Sequence, residues 1–167
     1  MKDIFDSIVV RATGISAQHP LADVVKARSN IIELTESSHA AALHPNRPGG
    51  LSHSERVALA CRIARLNEAD ALAHHYENMI EGADGSNITP SIADSTFEGA
   101  SDARLRAIIR HTDLVAVDVK KVTEDDISAL RSAGISEEDI VRLSELIAFV
   151  SYQIRLVAGL KLMVQVA

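Results

Sequence analysis

The chain has 167 residues, 47% of them hydrophobic, which is long enough and apolar enough for one domain with a sizeable core. Seventeen Lys and Arg against 23 Asp and Glu leave a formal charge of −6, and aromatic residues make up only 3%, so neither nucleic acid nor a membrane is expected among its partners. Cys61 is the only cysteine, which excludes an intrachain disulfide and a Cys-rich zinc site and suits a cytoplasmic protein.

At the N-terminus, Asp3, Asp6 and Arg11 interrupt the apolar residues in a way that a signal-peptide core does not, so no export signal is expected. Hydrophobic spacing is helical nearly throughout and period-two alternation is scarce, which predicts an all-α fold. Pro20 suits the first turn of a short helix through Leu21, Val24 and Val25, and a second helix is predicted from about Asn30 to Leu43. Two prolines and two glycines between His44 and Gly50 then break the ladder.

Ser52-x-x-Glu55 reads as a capping box opening a helix whose Val57–Leu66 stretch is apolar around most of its circumference, placing it at the centre of the fold. Arg62 and Arg65, near its end, complement the C-terminal dipole. From Glu68 to Glu81 the pattern is amphipathic, with Leu72, Ala73, Tyr76 and Met79 on one face and Asp70, His74, Glu77 and Glu81 on another. Gly82 to about Gly99 reads as a long loop, and Arg104 to about Val117 as a helix. Thr123-x-x-Asp126 resembles a capping box for a helix ending at Gly134, and Ser136-x-x-Asp139 starts the last and longest helix, through Ile140, Leu143, Ile147, Val150, Val157 and Leu160. The apolar stretch from Leu146 to Ala167 contains Arg155 and Lys161, each costly at bilayer depth, so a helix buried in a core or between subunits is expected.

The frame Glu55-x11-Asn67-x2-Asp70-x3-His74 resembles the Glu-x11-Cys-x2-Cys-x3-His of the redox members of the alkylhydroperoxidase D and carboxymuconolactone decarboxylase group, with both thiols replaced. A second stretch, Ile127-x-x-Leu130-Arg-Ser-Ala-Gly134-Ile-Ser136-x-x-x-Ile140 with Ala148-Phe149 and Arg155-x-x-x-Gly159-Leu160 further on, is similar to the second half of the same domain. The resemblance makes residues 1–167 a single domain, with an N-terminal helical extension over 1–50 and the family core over 51–163. It implies an alkylhydroperoxidase D-like helical domain that assembles as a homo-oligomer, such as a trimer or hexamer. Carried over by position, Glu55 and His74 keep the proton-relay places, while Asn67 and Asp70 stand where the thiols react. Without sulfur there is no sulfenic acid or disulfide, so dithiol peroxidase activity is not expected.

Each residue also has a plainer reading. Glu55 is explained as the acidic member of a capping box. His74 lies four residues after Asp70 and shares its helix face, so the two can pair, or can belong to a solvated stripe with Glu77 and Glu81. His75 reads as packing or surface, and His39, His44, His53 and His111 as ordinary loop and surface residues. Cys61, inside the apolar stretch, reads as an inert small hydrophobe. Arg155 needs a partner if buried, and either binds an acidic group or ties subunits together. The expected function is that of a carboxymuconolactone decarboxylase-like protein without a redox dithiol. It acts on or binds a small organic acid or lactone through Glu55, His74 and Asp70, with Asn67 and Arg155 as candidate substrate contacts and no cofactor. The alternatives are a non-catalytic oligomeric relative, small-molecule-binding or structural, and a metal-dependent site on Asp70, His74 and Glu55.

Overall fold

Serine and glutamate open the central helix reciprocally: Ser52 Oγ accepts from the Glu55 amide at 3.2 Å, and Glu55 Oε2 accepts from the Ser52 amide at 2.8 Å. In this computed structural model, which describes residues 3–81 and 89–166, the chain is all-α, with no strand among the described residues. The helices are α1 (Ile8–Arg11), α2 (Ala22–Lys26), α3 (Ser29–Leu43), α4 (His53–Leu66), α5 (Asp70–Glu81), α6 (Thr89–Ala93), α7 (Ala103–Asp118), α8 (Glu124–Ser132) and α9 (Glu137–Val166).

Every residue of α4 from Arg56 to Ala64 is buried, and α3, α5, α6, α7 and α9 pack around it. Its sequence allows this, since Ala58, Ala60, Cys61 and Ala64 let neighbouring backbones approach while Val57, Leu59 and Ile63 fill the spaces between. Asn67 caps the helix and Glu68 takes φ +55, the left-handed conformation that usually selects glycine. Immediately beyond, α5 folds back along α4, and the Cys61 thiol reaches the Ala73 carbonyl at 3.5 Å.

A buried cation holds the loop before α4. Arg56, 3% exposed, donates to the carbonyls of Leu51, Ala42 and Pro48 at 3.0, 3.1 and 3.0 Å. The same loop reaches the start of α9, where the Gly50 amide donates to Asp139 Oδ1 at 3.0 Å. Gly49 takes φ +67, a conformation that strains any larger residue, and a Cβ there would also lie 2.4 Å from Asp139 Oδ1 and displace it.

Two expectations change. Pro20 precedes α2 instead of lying in its first turn. Within the stretch predicted as a long loop, Thr89–Ala93 forms α6, with Pro90 near its start where the missing N–H is harmless; residues 82–88 of that loop lie outside the described residues. Asp102 caps α7 by accepting the Leu105 amide at 3.0 Å, and Gly134, at φ +82, ends α8. At 30 residues α9 spans about 45 Å. It is long and apolar enough to cross a membrane, and one face of it, with Ile140, Leu143, Leu146, Ile147, Val150 and Val157, is buried in the core, the helix packing against α1, α3, α4, α7 and α8. Leu162, Met163 and Val166 beyond them are exposed.

Candidate functional site

Both oxygens of Glu55 are engaged away from His74. One closes the capping box, and the other accepts from Arg104 Nη1 at 2.7 Å, an arginine that also donates to the Gly50 carbonyl. Because Cys61 lies level with Ala73 and α5 runs back along α4, His74 falls level with Ala60, and Glu55 lies five residues, about 7.5 Å, further along the helix axis. Asp70 and His74 are both exposed on α5, and no hydrogen bond or ion pair joins them to each other or to Glu55 among the described residues. Nor is any set of three His, Cys, Asp or Glu side chains among those residues placed to hold a metal ion. Asn67 is occupied as a cap, its amide donating to the Ile63 and Ala116 carbonyls at 2.9 and 3.4 Å. Arg155 is exposed and so has no desolvation to offset. Cys61 is fully buried, and burial pushes its thiol pKa up, which keeps the sulfur protonated and unreactive.

The structure does bring His74 into a different grouping. A cavity of about 240 Å³ lies between α1 and α5, where Arg11, His74, His75 and Asn78 provide the polar groups and Ile8 and Ala12 the apolar ones. α1 is fixed in place by the burial of Val9 and Val10 and by its first amide, which donates from Ile8 to Glu36 Oε1 on α3 at 2.8 Å. His75 Nε2 is buried with no hydrogen-bond partner among the described residues, and burial, helped by the Arg11 charge, pushes the imidazole pKa down. Behind it stand His39 and Tyr76, with ring centroids 5.4 and 5.3 Å from His75, and the Tyr76 hydroxyl donates to Gln153.

His39 and His111, expected at the surface, are 8% and 4% exposed, because both lie on the inner faces of long helices. His75, which reads as packing or surface, is half-buried because it continues the stripe of Leu72, Tyr76 and Met79, a helical spacing that marks an inward face. Arg11 carries no such local signal, since only the docking of α1 brings it to α5.

Histidine burial gives an expected pH dependence. His44, His75 and His111 all have pKa values lowered from 6.5, with burial the largest cause in each. An unfolded chain therefore takes up these protons at a higher pH than the native one, and stability complete above about pH 6.5 falls as pH drops through and below that value. Asp94, Asp126, Glu137 and Asp139 have lowered pKa values, so their contribution is retained there and lost only as pH falls into and below the ordinary carboxylate range. Urea midpoints measured at pH 7.5, 6.5 and 5.5 should decrease, and His75→Gln should flatten part of that slope; an unchanged midpoint across this range would refute the assignment.

Comparison with protein-family profiles, curated proteins and solved structures returns no match for this chain.

Proposed function

We propose that this chain is a dithiol-free member of the carboxymuconolactone decarboxylase and alkylhydroperoxidase D-like group that binds a small organic acid or lactone in the cavity between α1 and α5. The observation that carries this reading is the juxtaposition of Arg11, which has no acidic partner among the described residues, with His74 and the neutral His75 in one cavity of about 240 Å³. A guanidinium suits a carboxylate through paired, charge-assisted N–H bonds. An imidazole whose Nε2 has no partner among the described residues is a proton acceptor or donor for whatever enters, and the exposed His74 in the lining is a second. The small volume favours a compact metabolite over a drug-sized ligand. Cytoplasmic residence is supported by the lone, buried, protonated cysteine, and a homo-oligomer by the exposed apolar end of α9.

The double engagement of Glu55 favours a second reading, in which the same cavity binds its ligand without turning it over. Titration calorimetry with four- to six-carbon carboxylates and their lactones separates the two. Arg11→Gln should weaken binding at least tenfold while leaving the circular dichroism spectrum unchanged, and unchanged affinity would sink the site. With binding intact, ligand conversion that His75→Asn abolishes supports the enzyme, and no conversion by the unmodified protein supports the binder.

A further inference from the structure

A larger cavity, of about 500 Å³, lies between α4, α7 and the segment that joins α6 to α7, and shares no lining residue with the Arg11 cavity. Its floor is rigid. Arg62, 1% exposed, donates from Nε and Nη2 to the two oxygens of Asp113 at 2.5 and 2.6 Å. Its remaining donors reach the Ile92, Asp94 and Ser95 carbonyls, so the guanidinium cannot turn without breaking bonds to three elements.

The wall is equally constrained. Asp94 accepts from both the amide and the hydroxyl of Thr96, at 2.9 and 2.8 Å, and Arg106 Nη1 donates to the Ala100 carbonyl at 2.7 Å. Gly99, at φ +93, presses against the first turn of α7, where an added Cβ would lie 2.7 Å from the Arg106 amide nitrogen. The cavity is thus preformed, which lowers the cost of filling it.

Charges of both signs remain unmatched around it. Arg106 has no acidic partner and Glu98 no basic one among the described residues, although both line this cavity. Arg110, one turn after Arg106 on the same face, gives a single donor to Asp126 at 2.6 Å and keeps most of its fork free. Asp113, already paired through Arg62, still shows 31% of its side chain. A simple anion entering here meets Glu98 and Asp113, and a simple cation meets Arg106 and Arg110. A molecule bearing both charges satisfies all four.

We propose that this cavity binds a free α-amino acid, its carboxylate between Arg106 and Arg110 and its ammonium at Glu98 and Asp113. The twenty common amino acids, titrated singly into the full chain and followed by amide chemical shifts, test the proposal. At least one should saturate with a Kd below about 1 mM. Its deamino and decarboxy analogues should each bind at least tenfold more weakly. Arg106→Gln and Glu98→Gln, both at exposed positions, should each weaken the parent amino acid to a similar degree without changing the rest of the spectrum, whereas Arg11→Gln should have no effect on it. The proposal is overturned if no amino acid saturates by about 10 mM, if the deamino analogue matches its parent, or if Arg106→Gln binds normally.

Discussion

Asp113→Ala is expected to destabilise the fold by about 3 kcal/mol, at the lower end of what removing one partner of a buried ion pair costs. The reason lies in Arg62, whose side chain is 2% exposed while that of Asp113 is 31% exposed. Taking away the carboxylate leaves a permanently charged guanidinium in the core, facing three carbonyls and no counter-ion. Water reaches the Asp113 side and offsets part of the loss, which sets the estimate near 3 and not 5 kcal/mol. Asp113→Asn keeps the shape and one acceptor, so it should cost less. Urea unfolding monitored by circular dichroism reads both, and a loss under about 1 kcal/mol for Asp113→Ala would mean that Arg62 is far better solvated than its burial indicates.

Arg56→Met should cost about 2–4 kcal/mol, by a different route. Among the described residues Arg56 pairs with no carboxylate; its three bonds go to backbone carbonyls at the end of α3 and in the loop before α4. A methionine of similar length fills the space but donates nothing, leaving the buried Leu51 carbonyl and two partly buried ones to find water or stay unpaired. Lysine reaches at most one or two of the three sites, because it lacks the planar fork, so Arg56→Lys should recover only part of the loss. Limited proteolysis should cut the His44–Leu51 loop faster in Arg56→Met than in the parent. Equal cutting rates would show that Pro45, Pro48 and the Asp139 contact hold the loop unaided.

Local chemistry was legible before the structure and distant chemistry was not. The capping boxes at Ser52 and Thr123, the cap at Ser136, the stop at Gly134 and the all-round burial of α4 depend on residues within a few positions of one another, and each is readable from the sequence. Arg62 was assigned to a helix dipole because its true partner, Asp113, lies 51 residues further on. The short α6 was hidden in a stretch rich in loop-forming residues, and its turn is held to the body of the fold from outside, by Arg62 and Arg65 donating to the Ile92 and Ala93 carbonyls. For the site, spacing along the chain put Glu55 and His74 in one frame, whereas the helical hairpin sets them at different levels and gives Glu55 to Arg104. The packing place of His75 is readable from the inward stripe of α5, while that of Arg11 depends on how α1 docks.

The order in which the chain is made gives α9 a further consequence. Its buried face, ending at Val157, is the surface against which α1, α3, α4, α7 and α8 all close. At 5–20 residues per second, about 5–20 s separate the synthesis of Leu66 from that of Val157. For that interval α4 lacks the α9 surface that its apolar circumference packs against, so the core closes only after Val157 has been made.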